Sequence, residues 1–125
     1  MKSVTKAIGP YSAFLRVPPN KVPVYFSGVI GNNPLTGDIE HFEFNGQVRQ
    51  AFENLQLNLQ QANVLKTDIY KVTVFLTDMN NFSQMNALYS LFFGEHKPTR
   101  STVSVLELPK NALFEIEVTA HVDQE

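Results

Sequence analysis

Apolar and polar residues alternate without a break along Phe114–Val122. Successive side chains of a strand point to opposite sides, so Phe114, Ile116, Val118, Ala120 and Val122 share one face. Glu115, Glu117, Thr119 and His121 share the other. Ile69–Thr77 has the same period, with Tyr70, Val72, Val74 and Leu76 set against Lys71, Thr73 and Phe75. Val22–Ile30 reads as a third strand, with Val22, Val24 and Phe26 opposed to Tyr25, Ser27 and Val29. Pro23 cannot donate a ladder hydrogen bond, which places that end at an edge or a strand start. Pro98–Val105 is dense in β-branched residues and reads as a fourth strand. It assigns Val103 and Val105 to the core and Arg100, Thr102 and Ser104 to the opposite face. Ala13–Val17 is a further strand candidate.

Two stretches switch to a helical period. Val48, Ala51, Phe52, Leu55, Leu59 and Ala62 make one apolar stripe; Phe82, Met85, Leu88, Tyr89 and Phe92 make the second. Asn45 suits the N-cap of the first helix, and Asp78 or Asn80 that of the second. Asn63 and Gly94 suit their C-terminal ends. The order is strand, strand, helix, strand, helix, strand, strand. Two helices cannot cover both faces of such a sheet, so the expected architecture is a two-layer α+β domain with both helices on one face. The bare face is expected to carry Tyr25, Ser27, Phe75, Arg100, Thr102 and Glu115. That mixture fits neither a dry core nor an ordinary wet surface, and predicts subunits packed sheet to sheet.

Composition narrows the classes. At 125 residues and 43% hydrophobic, the chain makes one domain, 1–125, with an aromatic core supplied by ten Phe and four Tyr. Ten Lys and Arg against twelve Asp and Glu leave a net charge of −2, which argues against nucleic-acid or anionic-membrane partners. The absence of cysteine excludes disulfides, thiolate nucleophiles and thiolate metal sites. With no apolar leader in Met1–Lys6 and no stretch long enough to span a bilayer, a cytoplasmic location is expected, and an organelle interior fits as well. His41, His96 and His121 lack ligand spacing, so no metal is expected. No Gly-x-Ser-x-Gly elbow or phosphate loop is present.

The chemistry centres on Arg100 and Glu115. A buried arginine needs a partner, and its planar fork suits a carboxylate. Adjacent strands would bring Arg100 and Glu115 to one polar surface. On spacing alone this reads as a cross-strand ion pair worth roughly 0.2–1 kcal/mol. Asn86 reads as a solvent-facing helix residue, and Tyr11, after Gly9-Pro10, as a packing residue.

A larger pattern emerges from the motifs together. Ile8-Gly9-Pro10-Tyr11, Phe26-Ser27-Gly28, Pro34-x-Thr36-Gly37 and Asp68-Ile69-x-Lys71-Val72-Thr73-Val74-Phe75-Leu76-x-Asp78-Met79 occur in order. Asn86-x-x-Tyr89-x-x-Phe92-Phe93, Pro98-x-Arg100-Ser101, Leu108-Pro109-Lys110 and Glu115-Ile116-Glu117 follow. In sequence and spacing this resembles the RidA (YjgF/YER057c/UK114) family, from about residue 8 to residue 121. The resemblance implies a chorismate-mutase-like fold with a mixed, mostly antiparallel sheet. It implies a homotrimer with sites between subunits and no cofactor. It also implies an activity as a reactive-intermediate deaminase: hydrolysis of imines and enamines such as 2-iminobutanoate and 2-iminopropanoate, released by pyridoxal-phosphate dehydratases, to 2-oxoacids and ammonia. Arg100 would then hold the substrate carboxylate and Glu115 would direct water. Tyr11, Ser27, Gly28, Asn86, Phe92 and Thr102 would complete the pocket. Thr102 stands where many members have cysteine, Val29 where glutamine is frequent, and Leu106 where a small or basic residue is common. Two other activities fit the same resemblance: a non-catalytic trimer that binds small carboxylates and regulates a partner, and an endoribonuclease or translation inhibitor.

Overall fold

In the computed structural model, which describes residues 4–125, the uninterrupted alternation becomes the centre of the sheet. The elements in chain order are β1 (Lys21–Tyr25), β2 (Val29–Ile30), α1 (Phe44–Gln61), β3 (Ile69–Leu76), α2 (Phe82–Phe93), β4 (Thr99–Ser104) and β5 (Phe114–Asp123). The sheet order is β1-β5-β3-β4, with β2 also on β5. β3 and β4 run parallel, joined by α2; the other pairs are antiparallel. Met1 to Ser3, part of the polar N-terminal stretch, lie outside the described residues.

Both helices pack on one face of the sheet. Val72, Val74 and Leu76 of β3 and Phe114, Ile116, Val118 and Ala120 of β5 are buried there against Val48, Ala51, Phe52, Leu55 and Leu59 of α1 and Met85, Leu88, Tyr89 and Phe93 of α2. Phe52 joins the layers: its ring lies 5.8 Å from Phe114 on the sheet and 6.4 Å from Phe93 on α2. This is the expected two-layer α+β arrangement, driven by burial of one apolar face and two apolar stripes.

Several local expectations are corrected. Ala13–Val17 forms no strand; it runs as exposed coil. The Val22–Ile30 strand is broken at Phe26–Gly28. Tyr25 pairs with Thr119 and Val29 with Ile116, so this side advances four residues while β5 advances three. The extra residue reverses the alternation, and Val29 packs on the core instead of sharing Tyr25's face. A second irregularity lies between Ile69 and Lys71. It seats Ile69 in the core and leaves Tyr70 edge-on to His121, 5.2 Å between ring centres. α1 follows Glu43 without a side-chain cap, so Asn45 does not cap it, and Ala62 is exposed. Asn63 does take the left-handed conformation, and Gly94 ends α2 at a positive φ.

The largest correction concerns β4. Val72 pairs with Arg100, Val74 with Thr102 and Phe75 with Val103. Paired residues share a face, so Arg100 and Thr102 lie on the helix side, while Val103 lies on the bare side and is 41% exposed. β4 is a short edge strand with small hydroxyls on both faces, and such a strand carries little signal for which set turns inward.

Candidate functional site

Pro98 ends the preceding connection, and β4 then projects Arg100 toward α2. On α2, Phe82, Met85, Asn86 and Tyr89 fall on one stripe by helical spacing. The Arg100 guanidinium carbon lies 4.8 Å from the Tyr89 ring centre, 5.7 Å from Phe82 and 5.3 Å from Tyr11. Arg100 Nη1 donates a long, weak hydrogen bond to the Met85 thioether at 3.9 Å. Burial pulls the Arg100 pKa below its ordinary value, opposed by Tyr89 and Tyr11, yet a guanidinium stays charged. Burial also pushes the Tyr89 hydroxyl well above its usual range, against the pull of Arg100.

The N-terminal coil closes this recess. Ser12 donates its N–H to the Pro98 carbonyl at 3.2 Å and its hydroxyl to the Lys97 carbonyl. The Tyr11 hydroxyl accepts from the Ile8 N–H at 3.3 Å. Gly9 lies close against the guanidinium: a Cβ there would lie 2.6 Å from Arg100 Nη2 and 3.3 Å from Asn86 Oδ1, so the arginine end would have to shift. A hollow of about 240 Å³ lies where the N-terminal coil crosses β3 and β4, bordered by Tyr11, Ser12, Val72, Thr99, Arg100 and Ser101. Four polar atoms of this region are buried without a partner: Asn86 Oδ1, Tyr89 Oη, Arg100 Nε and Thr102 Oγ1. Buried polar atoms are otherwise nearly always paired, so a cluster of orphans marks a place for water or ligand.

Glu115 lies on the other side of the sheet, paired with Phe75. The break between β1 and β2 runs past it: a Cβ on Gly28 would stand 2.7 Å from Glu115 Oε2. Ser27 sits exposed in the same break. Partial burial, and then the neighbouring Glu117 carboxylate, raise the Glu115 pKa above the ordinary carboxylate value. Among the described residues the ion pairs are Lys21–Asp123 and Lys110–Asp38, and neither involves Arg100 or Glu115. The expected shared surface is therefore not found within the chain: the sheet separates the guanidinium from the carboxylate.

The residues nominated from the sequence thus fall into two groups. Tyr11, Asn86, Arg100 and Thr102 gather between α2 and β4; Ser27, Gly28 and Glu115 gather on the bare face. Phe92 joins neither group. It stacks on Phe52 at 4.5 Å with Lys66 Nζ 4.1 Å over its ring. Gly9, Phe82, Met85 and Tyr89 were missed as site residues, because a helical stripe reads as core and a Gly-Pro pair as a turn. Of the histidines, His96 Nε2 lies 2.8 Å from the Ile69 carbonyl, and His121 packs on Tyr70. Among the described residues no three His, Asp or Glu side chains are grouped to hold a metal ion, and no helix is long and apolar enough to cross a membrane.

Comparison with known proteins extends this geometry. The family model described as Endoribonuclease L-PSP matches residues 1–122. A RutC family protein of Pyrococcus horikoshii is 40% identical over 120 residues, covering 96% of this chain and 93% of that protein. A 2-iminobutanoate/2-iminopropanoate deaminase of Dermatophagoides farinae is 38% identical over 110 residues, covering 88% of this chain and 84% of the relative. The crystal structure of Escherichia coli TdcF with bound serine superposes with a TM-score of 0.74 at 35% identity, covering 98% of this chain and 100% of that one. With its sequence motifs, its two-layer fold and these likenesses in agreement, the chain belongs to the Endoribonuclease L-PSP family, that of the RidA and YjgF proteins.

Proposed function

We propose that this protein hydrolyses small 2-imino acids to 2-oxoacids and ammonia, without a cofactor, at sites shared between neighbouring subunits of a homotrimer. The single observation that carries the reading is the unpaired guanidinium of Arg100 in a recess of orphaned polar atoms. A fixed cation with no carboxylate of its own is built to receive one, with two parallel hydrogen bonds. The serine in the E. coli structure and the deaminase name of the mite relative are consistent with that ligand chemistry.

Glu115 supplies the second half. Because the sheet separates it from its own Arg100, it serves the Arg100 recess of the next protomer. Its raised pKa makes it a better proton acceptor than an ordinary glutamate. Water attacks the protonated imine carbon as Glu115 takes its proton, forming a carbinolamine. Glu115 passes that proton to the amine nitrogen and then takes the carbinol hydroxyl proton as the C–N bond breaks, so the carbonyl forms and ammonia leaves. Ser27 and Gly28 flank the carboxylate; Tyr11, Asn86 and Thr102 line the acceptor side.

The test generates 2-iminobutanoate in situ from threonine with a dehydratase and follows its loss against spontaneous hydrolysis. Wild-type protein accelerates the loss. Arg100→Ala abolishes the acceleration, and Glu115→Gln lowers it by about 10²-fold or more, the usual contribution of a positioned base. A Glu115→Gln variant that still binds 2-oxobutanoate but does not turn over separates this mechanism from a carboxylate-binding regulator. An unaltered rate in either variant contradicts the proposal. Salt-dependent binding of single-stranded RNA would instead favour the nuclease activity of the family's name.

A further inference from the structure

Arg100 is a partly buried charge without an ion pair, and how it is held is not explained by its function. An arginine placed to bind a carboxylate faces two opposite failures. Paired internally, it is neutralised before the ligand arrives; left free, it swings, and ordering it opposes binding. The surroundings of Arg100 avoid both. Three rings from two separate segments surround the guanidinium: Tyr11 from the N-terminal coil at 5.3 Å, and Phe82 and Tyr89 from α2 at 5.7 Å and 4.8 Å. All lie within the roughly 6 Å reach of a cation–π contact. The remaining contact is a thioether, Met85 Sδ, at 3.9 Å. Gly9 limits the other side, since any Cβ would strike Nη2. No carboxylate among the described residues pairs with it, and Nε has no acceptor.

We infer that Phe82 and Tyr89 are positioning residues for the carboxylate anchor: with Tyr11 they form an aromatic cage that fixes the Arg100 guanidinium without neutralising it. The inference rests on the proposed role of Arg100, and it specifies the ligand more narrowly. A ring attracts the cation through its quadrupole and offers no lone pairs that compete with a carboxylate. The N–H fork therefore stays available for a single planar anion. The Tyr89 hydroxyl is not what acts here. The ring face is, so phenylalanine at position 89 should serve and leucine should not.

The test reads the guanidinium directly and does not depend on turnover. In ¹⁵N-labelled protein, the Arg100 Nε–Hε resonance is expected to be ring-current shifted and slow to exchange. Phe82→Leu and Tyr89→Leu should move it toward the position of a free arginine, whereas Tyr89→Phe should not. In parallel, affinity for 2-oxobutanoate should fall roughly two- to thirtyfold per lost ring, the range spanned by a cation–π contact. Affinity for its neutral amide should not change, and kcat should change less than KM. Tyr89 is fully buried, so if Tyr89→Leu does not fold, Phe82→Leu, at the partly exposed start of α2, carries the test. An unchanged Nε–Hε signal in folded leucine variants overturns the cage, as does equal damage from Tyr89→Phe. A cage confirmed in a protein that does not accelerate imine loss leaves this inference standing and removes the deaminase reading instead.

Discussion

Two glycines and two carboxylates show how narrowly the site is set at the scale of single residues. Gly9 abuts Arg100 and Gly28 abuts Glu115, each with room for a hydrogen but not a methyl group. At Gly9 the obstructed atom is the end of a flexible side chain, so Gly9→Ala should fold with little change in Tm while displacing the guanidinium. KM for a carboxylate substrate should then rise about tenfold or more, the cost of one charged hydrogen bond. An unchanged KM would show that the guanidinium does not need its present place. Glu115 yields a pH prediction. Its folded pKa is raised, so activity that needs the ionised form is lost on acidification earlier than it would be for an ordinary glutamate. Glu117 is the second cause of that shift, so Glu117→Gln should move the acidic limb of the kcat/KM profile to lower pH. For stability the sign is reversed. A carboxyl with raised folded pKa favours the folded state in its protonated form, and that advantage is lost as pH rises through the folded pKa. Glu115→Gln should therefore cost activity without lowering Tm at neutral pH, and a lowered Tm would contradict this.

At the scale of elements, burial decided what the sequence could show. β5, β3 and the apolar stripes of both helices were legible because each carries one strongly apolar face, and the two-layer arrangement follows from them. Phe114 is the clearest case: fully buried at the helix–sheet seam, it should cost about 3–5 kcal/mol when replaced by alanine, read from chemical denaturation. The bulges at Phe26–Gly28 and Ile69–Lys71 were not legible, because one inserted residue leaves composition unchanged while reversing every later side chain. β4 failed for a related reason. Alternation alone left two assignments for Arg100, and the apolar Val103 and Val105 favoured the wrong one. Only the pairing of β4 with β3, set by the α2 crossover, turned Arg100 inward. The site residues themselves were recognised through the family's motifs, whereas the cage around Arg100 was hidden because Phe82, Met85 and Tyr89 read as ordinary core positions.

At the scale of the whole molecule, the halves of the proposed chemistry lie on opposite faces of one sheet, and the bare face carries exposed apolar side chains. Tyr25 on β1 is 78% exposed there, and at the opposite edge Val103 of β4 is exposed next to the partly buried Phe75 of β3. A face of that kind is an interface in waiting, and the proposed trimer both covers it and carries Glu115 to a neighbour's Arg100. This is the central claim, and mixing variants tests it directly. Arg100→Ala and Glu115→Gln proteins, each with about a hundredth of wild-type activity or less alone, are unfolded together in equal amounts, refolded and assayed for imine loss. With each site drawing its guanidinium from one subunit and its carboxylate from the next, about a quarter of the sites in randomly mixed rings regain both groups. The account predicts recovery near a quarter of wild-type activity; a mixture as inactive as its components, though assembled, would contradict it.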